Sequence, residues 1–108
     1  MANTFKNQFS KSVGTSAATI YTTPSSTSTT IIGLTVGNTT ASPITVDVYV
    51  TSSATDYYLV KGATVPVGGS LVPVGGDQKL VLEAADVLKV VSSAASSADV
   101  ICSLLEIS

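Results

Sequence analysis

The chain has 108 residues, the size of one small domain, and a formal net charge of −2. It contains no histidine, and its five basic residues are scattered lysines, which excludes imidazole catalysis and argues against nucleic-acid binding. Charged residues make up only 11% of the chain and the mean hydropathy is +0.47. We therefore expect other subunits to cover part of an apolar surface.

Residues 1–13 are predicted to form an N-terminal arm or edge strand, followed by one β-sandwich domain over residues 14–108. Phe5, Phe9 and Val13 fall on one side of an extended strand, although their spacing of four also suits a short helix. The segment either orders on assembly or folds back onto its own chain. It has no apolar signal-peptide region, so we expect synthesis and first use in a cytoplasm.

A period of two with β-branched residues predicts short strands along the rest of the chain. They are expected at residues 19–22, 30–38, 43–52, 56–61, 79–82, 87–91 and 99–107. The predicted inward residues of the first long pair are Ile32, Leu34 and Val36, then Ile44, Val46, Val48 and Val50. Residues 38–42 are expected to join that pair as a hairpin loop, and Pro66 and Pro73 to mark edge or irregular segments.

Seven to nine short strands at a spacing of roughly ten residues predict an all-β fold. The fold class is a single small antiparallel β-sandwich, jelly-roll or immunoglobulin-like, without a helix longer than a turn or two. The last predicted strand is apolar on both faces, with Val100, Cys102 and Leu104 on one and Ile101, Leu105 and Ile107 on the other. Such a strand needs a second cover, which a neighbouring subunit or the N-terminal segment would supply.

Reactive side chains are few, and their patterns favour structural roles. Cys102 lies in an apolar stretch that predicts a buried thiol. Asp77, Glu83 and Asp86 could in principle hold calcium or cleave a glycoside, but Glu83 and Asp86 bracket a turn that an aspartate would cap. We predict no catalytic residue, no metal site and no cofactor. Adjacent strand residues face opposite ways, so one of Tyr57 and Tyr58 is expected in the core and the other is free to stack on a sugar or a partner.

The stretches 32–40 and 43–50, with 66–70, 80–90 and 103–107 downstream, resemble small β-rich virion proteins of tailed bacteriophages, of the cyanophage and marine-phage type. The resemblance covers nearly the whole chain and consists of strand and turn residues. Those proteins often carry Glu-Ala-Gly-Asp where this chain has Ala85 in place of the glycine. Because alanine disfavours positive φ, this difference argues against a positive-φ turn at Ala85.

The resemblance implies a non-enzymatic structural protein that assembles into the virion in the host cytoplasm. The expected function is capsid decoration, in which a homo-oligomer, with a trimer favoured, contacts the major capsid protein or other virion proteins. Neither nucleic acid nor membrane is an expected partner. The alternative is a neck, tail or fibre domain that contacts tail proteins or host glycans. The residues expected to make these contacts are Phe5, Phe9, Val13, Tyr57, Tyr58, Ile101, Leu105 and Ile107.

Overall fold

A computed structural model describes residues 2–108 as nine β-strands in two antiparallel sheets. The strands are β1 (Asn3–Val13), β2 (Ala18–Thr22), β3 (Ser28–Asn38), β4 (Ile44–Ser52), β5 (Thr55–Val65), β6 (Ser70–Val74), β7 (Leu80–Leu82), β8 (Val87–Ser92) and β9 (Ala98–Ile107). The predicted all-β sandwich is confirmed. Across residues 2–108, no helix has the length and apolar character needed to cross a bilayer.

The order of the strands identifies the type of sandwich. Sheet A has the order β1-β9-β3-β6, with β7 also paired to β3, and sheet B has the order β2-β8-β4-β5. Only the β4–β5 and β6–β7 connections join strands of one sheet, and every other connection crosses to the opposite sheet. With β6 and β7 counted as one interrupted strand, this is the eight-stranded jelly roll, one of the two types predicted.

Residues 39–43 form a crossover between the sheets, so the predicted hairpin is wrong. β3 belongs to sheet A and β4 to sheet B, and the alternation of apolar residues does not encode this difference. Asn38, which is 7% exposed, holds the crossover together. Its Nδ2 donates to the carbonyls of Ser42 (2.8 Å) and Val65 (3.1 Å), and its Oδ1 accepts from the amide of Thr40 (2.9 Å).

The core lies between the inner faces of the two sheets. The predicted inward residues of β4 are confirmed, since Ile44, Val46, Val48 and Val50 are all buried. In β3 the pairing with β9 shifts between Ile31 and Gly33, which marks a bulge. The bulge places Ile31 in the core beside Leu34 and Val36, and leaves Ile32 partly exposed, contrary to the prediction.

The turn between β7 and β8 has positive φ at Ala85 (72°), which corrects the expectation drawn from the missing glycine. Asp86 accounts for this conformation. One carboxylate oxygen accepts from the amide of Glu83 (2.9 Å), and the other accepts from the Ser52 hydroxyl (2.7 Å). The predicted capping role of Asp86 is thus confirmed, and the cap holds Ala85 in a region that alanine disfavours.

Proline marks the sheet edge as predicted, while β5 is longer than predicted. Pro73 lies within β6, at an edge of sheet A, where its missing N–H leaves no gap in a central ladder. β5 runs on to Val65 and is followed directly by Pro66. It forms the edge of sheet B on the same side of the sandwich as β6.

Candidate interaction surface

β1 is an edge strand of its own chain and adds little to the core. It pairs antiparallel with β9 over nearly its whole length, from Asn3 opposite Ile107 to Ser10 opposite Val100. Its two phenylalanines point outward and are 76% (Phe5) and 68% (Phe9) exposed. Backbone hydrogen bonds to β9 and a few polar contacts therefore hold residues 3–11 in place, without burial of large apolar side chains.

Val13 does not lie on the same side as the two phenylalanines, contrary to the prediction. The register of β1 against β9 shifts between Ser10 and Val13, and Ser12 adopts positive φ (58°). The carboxylate of Asp99 accepts from the Ser12 amide at 2.9 Å and fixes this kink. The kink reverses the alternation, so Val13 is buried in the core and is unavailable as a surface contact.

Sheet A carries a continuous apolar surface on its outer side. Pairing across β1, β9, β3 and β7 aligns Phe5, Leu105, Thr30 and Val81 in one row, and Phe9, Ile101 and Thr35 in another. We use the term apolar face for the side chains of Phe5, Phe9, Thr30, Ile32, Thr35, Val81, Ile101, Leu105 and Ile107. None of these side chains is charged, and Phe5, Phe9, Val81 and Ile101 are all more than half exposed.

The position of β1 shows whether it covers the outer side of β9. The buried set Val100, Cys102 and Leu104 faces sheet B, as predicted, while Ile101 is 54% exposed on the other side. β1 pairs with β9 edge to edge in the same sheet. It therefore widens the apolar face and adds two phenylalanines to it, but it does not cover the outer side of β9.

A polar network at one end of the sandwich ties β1 to the core. Glu106 accepts from Lys6 Nζ at 3.0 Å and from the Tyr21 hydroxyl at 2.5 Å, and the Tyr21 oxygen lies 2.8 Å from the Thr29 hydroxyl. Burial, followed by the hydrogen bond to Glu106, raises the pKa of Tyr21 to about 12. The hydrogen bonds from Tyr21 and Lys6 lower the pKa of Glu106, so this carboxylate stays ionised.

Tyr57 and Tyr58 lie on β5, at the edge of sheet B and away from the apolar face. Neither is in the core, contrary to the prediction for one of them. Tyr57 is 59% exposed although it pairs with core-facing Val50, because β5 is the last strand of its sheet. Tyr58 packs on Tyr49, with ring centroids 4.9 Å apart, and Lys61 Nζ lies 4.3 Å from the centre of its ring. The predicted contact residues thus divide between two separate surfaces.

The remaining reactive groups do not converge. In the part of the chain that the structure describes, no three cysteine, aspartate or glutamate side chains are grouped closely enough to hold a metal ion. Asp86 is engaged in its turn. Cys102 is a buried free thiol, as predicted, and burial raises its pKa to about 11.

Four members of the apolar face are absent from the predicted contact residues: Thr30 and Thr35, and the two apolar residues Ile32 and Val81. The signal for Val81 is present in the sequence, because Leu80, Val81 and Leu82 make a short strand that is apolar on both sides, as β9 is. Ile32 reaches the outer side through the β3 bulge, which no residue type in the sequence marks.

No protein-family model matches the sequence, and no curated protein matches it. Among solved structures, the chain is similar to one of Bacillus endospore appendages, described as a family of disulfide-linked pili. The two share 17% sequence identity with a TM-score of 0.58, over 99% of this chain and 87% of the other. At this level of sequence identity, the similarity indicates a shared fold and carries no conclusion about function.

Proposed function

We propose that this chain is a non-enzymatic structural subunit of a phage virion, most specifically a capsid decoration protein whose assembly on the particle depends on the apolar face of sheet A. Its partners would be other copies of the chain and neighbouring virion proteins, after assembly in the host cytoplasm. The observation that carries this proposal is the uncharged apolar face with two exposed phenylalanines. A contiguous surface of this kind on a small domain is typical of an assembly interface.

The energetic argument depends on Phe5 and Phe9. An aromatic side chain buries about 150–250 Å², and apolar burial contributes about 25 cal/mol per Å². Covering the exposed parts of both rings is therefore worth about 5 kcal/mol per subunit. Repeated over a symmetric particle, contacts of this size hold the assembly by multiplicity.

The similarity to pilus structures bears on how such an assembly would be linked. The pili are described as disulfide-linked. In this chain the only cysteine is buried, and its raised pKa keeps it in the unreactive thiol form. We therefore propose that the contacts of this subunit are non-covalent.

Immunogold electron microscopy on purified particles tests the location directly. Antibodies raised against the purified protein should label the heads of particles from cultures that express the chain. Label confined to a tail or fibre would replace capsid decoration with the alternative location. Label on no particle would overturn the virion proposal.

Binding to heads that lack the protein gives the matched biochemical test. Phe9→Ser should weaken head binding at least tenfold, because assembly depends on the apolar face and burial of one ring there is worth well over 1.4 kcal/mol. Tyr57→Ser alters another aromatic residue that is more than half exposed, in sheet B, and should leave binding unchanged. Equal binding by Phe9→Ser and wild type would contradict a role for the apolar face.

The exposed aromatics of β5 support a second candidate, a tail or fibre domain that contacts host glycans. The ring of Tyr57 is exposed, and the Lys61 ammonium lies beside the ring of Tyr58. In this case the purified protein should bind a glycan array, Tyr57→Ala should abolish that binding, and Phe9→Ser should not. A protein that binds no glycan would remove this candidate.

A further inference from the structure

We propose that the apolar face is the contact between two copies of this chain, packed face to face about a two-fold axis. This inference rests on the proposed role as a structural subunit and names the partner that covers the face. A face buried against its own copy is used up in the pair, so this contact closes at two subunits.

The shape of the face suits a copy of itself. Its two apolar rows form ridges, one led by Phe5 and the other by Phe9. Between them runs a row of small or polar residues, Asn7, Ser103 and Gly33. A shallow groove opens there over Ser103, between Phe5 and Ile32. Ridge and groove lie two residues apart along β1, about 7 Å.

We place the two-fold axis in the plane of the interface, midway between the groove and the Phe5 ridge. With this axis, the Phe5 ridge of each copy packs into the groove of the other. The charges of the sheet agree with this placement. Lys11 and Asp99 are paired at 3.5 Å at the far end of β1 and β9. The axis leaves that pair beyond the end of the partner's face. Lys79 and Glu83, on either side of β7, are exposed at the border of the face, where water can still reach them.

The area of the face matches the needs of a stable pair. The face is three strands wide over about nine residues, and the three residues of β7 widen it at one end. At about 4.8 Å between strands and about 3.4 Å per residue, the footprint is about 490 Å². Two such faces in contact bury about 1,000 Å², and more once side-chain relief is included, which is the size at which a specific interface begins and fits a pair of modest affinity.

A charged partner surface would fit the face less well, because the face carries no charged side chain to pair with it. A second copy brings another uncharged apolar surface, and two sheets pack through such surfaces at a separation of about 10 Å. It also covers Phe5 and Phe9, most of whose surface is exposed within their own chain.

Sedimentation velocity from about 1 µM to about 1 mM tests the pairing. The wild type should shift from monomer to dimer. Ile101→Lys places a charge on the Phe9 ridge, which the partner covers, and should raise the dissociation constant at least tenfold. The matched control is Val67→Lys, since Val67 is 53% exposed and lies in the β5–β6 loop, away from the face. Circular dichroism should show both variants folded.

A labelling experiment identifies the surface independently of the charge substitution. Ser103→Cys puts a thiol on the floor of the groove, while buried Cys102 stays silent. Maleimide labelling of that thiol should slow at least tenfold when the protein is concentrated into the dimer. Adding Ile101→Lys to the same chain should restore fast labelling.

Each other outcome overturns the inference. The contact would be excluded if the protein stayed monomeric at every concentration, or if the Ile101→Lys dimer were as tight as the wild-type dimer. It would also be excluded if the labelling rate of the Ser103→Cys thiol did not depend on protein concentration. A trimer, the oligomer expected from the resemblance to virion proteins, would require a different surface and would also exclude it. These results can be told apart from a failure of the proposed function. A monomer that binds heads would overturn the dimer and keep the decoration function, whereas a dimer that is found on no particle would overturn the decoration function and keep the dimer.

Discussion

The hydrogen bonds of Asn38 make the crossover from sheet A to sheet B the most sharply testable part of the fold. We expect Asn38→Ala to destabilise the domain strongly although it removes no apolar contact. The side chain is nearly buried and satisfies two carbonyls and one amide, of Ser42, Val65 and Thr40. Alanine leaves all three groups without this partner.

The magnitude follows from those three bonds. A hydrogen bond contributes a net of about 1 kcal/mol, and a buried group left unsatisfied costs about 1–3 kcal/mol. Because water reaches part of the loop, the lower figure applies to each group, and the sum is about 3 kcal/mol. For a domain of this size that lowers Tm by about 15 °C.

Urea unfolding followed by circular dichroism measures the change, and Asn38→Asp sharpens the test. Aspartate keeps the acceptor for Thr40 but turns a carboxylate oxygen toward two carbonyls, so its pKa should be raised. At neutral pH this variant should be at least as unstable as Asn38→Ala, and it should recover as acid protonates the carboxyl and restores a donor. Asn3→Asp, on the exposed start of β1, should show no such recovery. An Asn38→Asp protein as stable as wild type at neutral pH would refute the assigned bonds.

Three further outcomes follow from single residues. Ala85→Gly should raise stability by about 1 kcal/mol, because glycine relieves the positive φ; an unchanged or lower Tm would contradict this. Stability should fall as acid titrates Glu106, whose lowered folded-state pKa makes its contribution full above about pH 4.5 and lost as pH falls through the folded value. Glu106→Gln should flatten that acid dependence, and equal slopes would count against the network. Cys102 should resist a thiol reagent in the native protein and react fully in urea, whereas fast native labelling would disprove its burial.

The alternation of apolar residues was sufficient to predict the sandwich and most inward residues. Val46, Val48 and Leu104 follow from it because a strand with one buried face must repeat with a period of two. Alternation says which side of a strand faces the core, but it is silent on which sheet the strand joins. For this reason the sequence predicts a hairpin at residues 38–42 where the jelly roll has a crossover.

The interaction surface was predictable in part for a similar reason. Phe5, Ile101 and Leu105 are apolar at outward positions, which the sequence alone indicates. Val13 and Ile32 deviate because each lies at an irregularity of pairing, and one extra residue turns every later side chain to the other face. Such irregularities depend on contacts between distant strands, such as that of Asp99 with Ser12.

The pairing of β1 with β9 has a consequence for the timing of assembly. β1 can complete its ladder only after β9 has been made. Phe5 and Phe9 are aligned with Ile101 and Leu105 by that pairing and by no earlier step. The apolar face is therefore incomplete until β9 has been synthesised, and a polypeptide that ends before β9 lacks the surface that the proposed assembly needs.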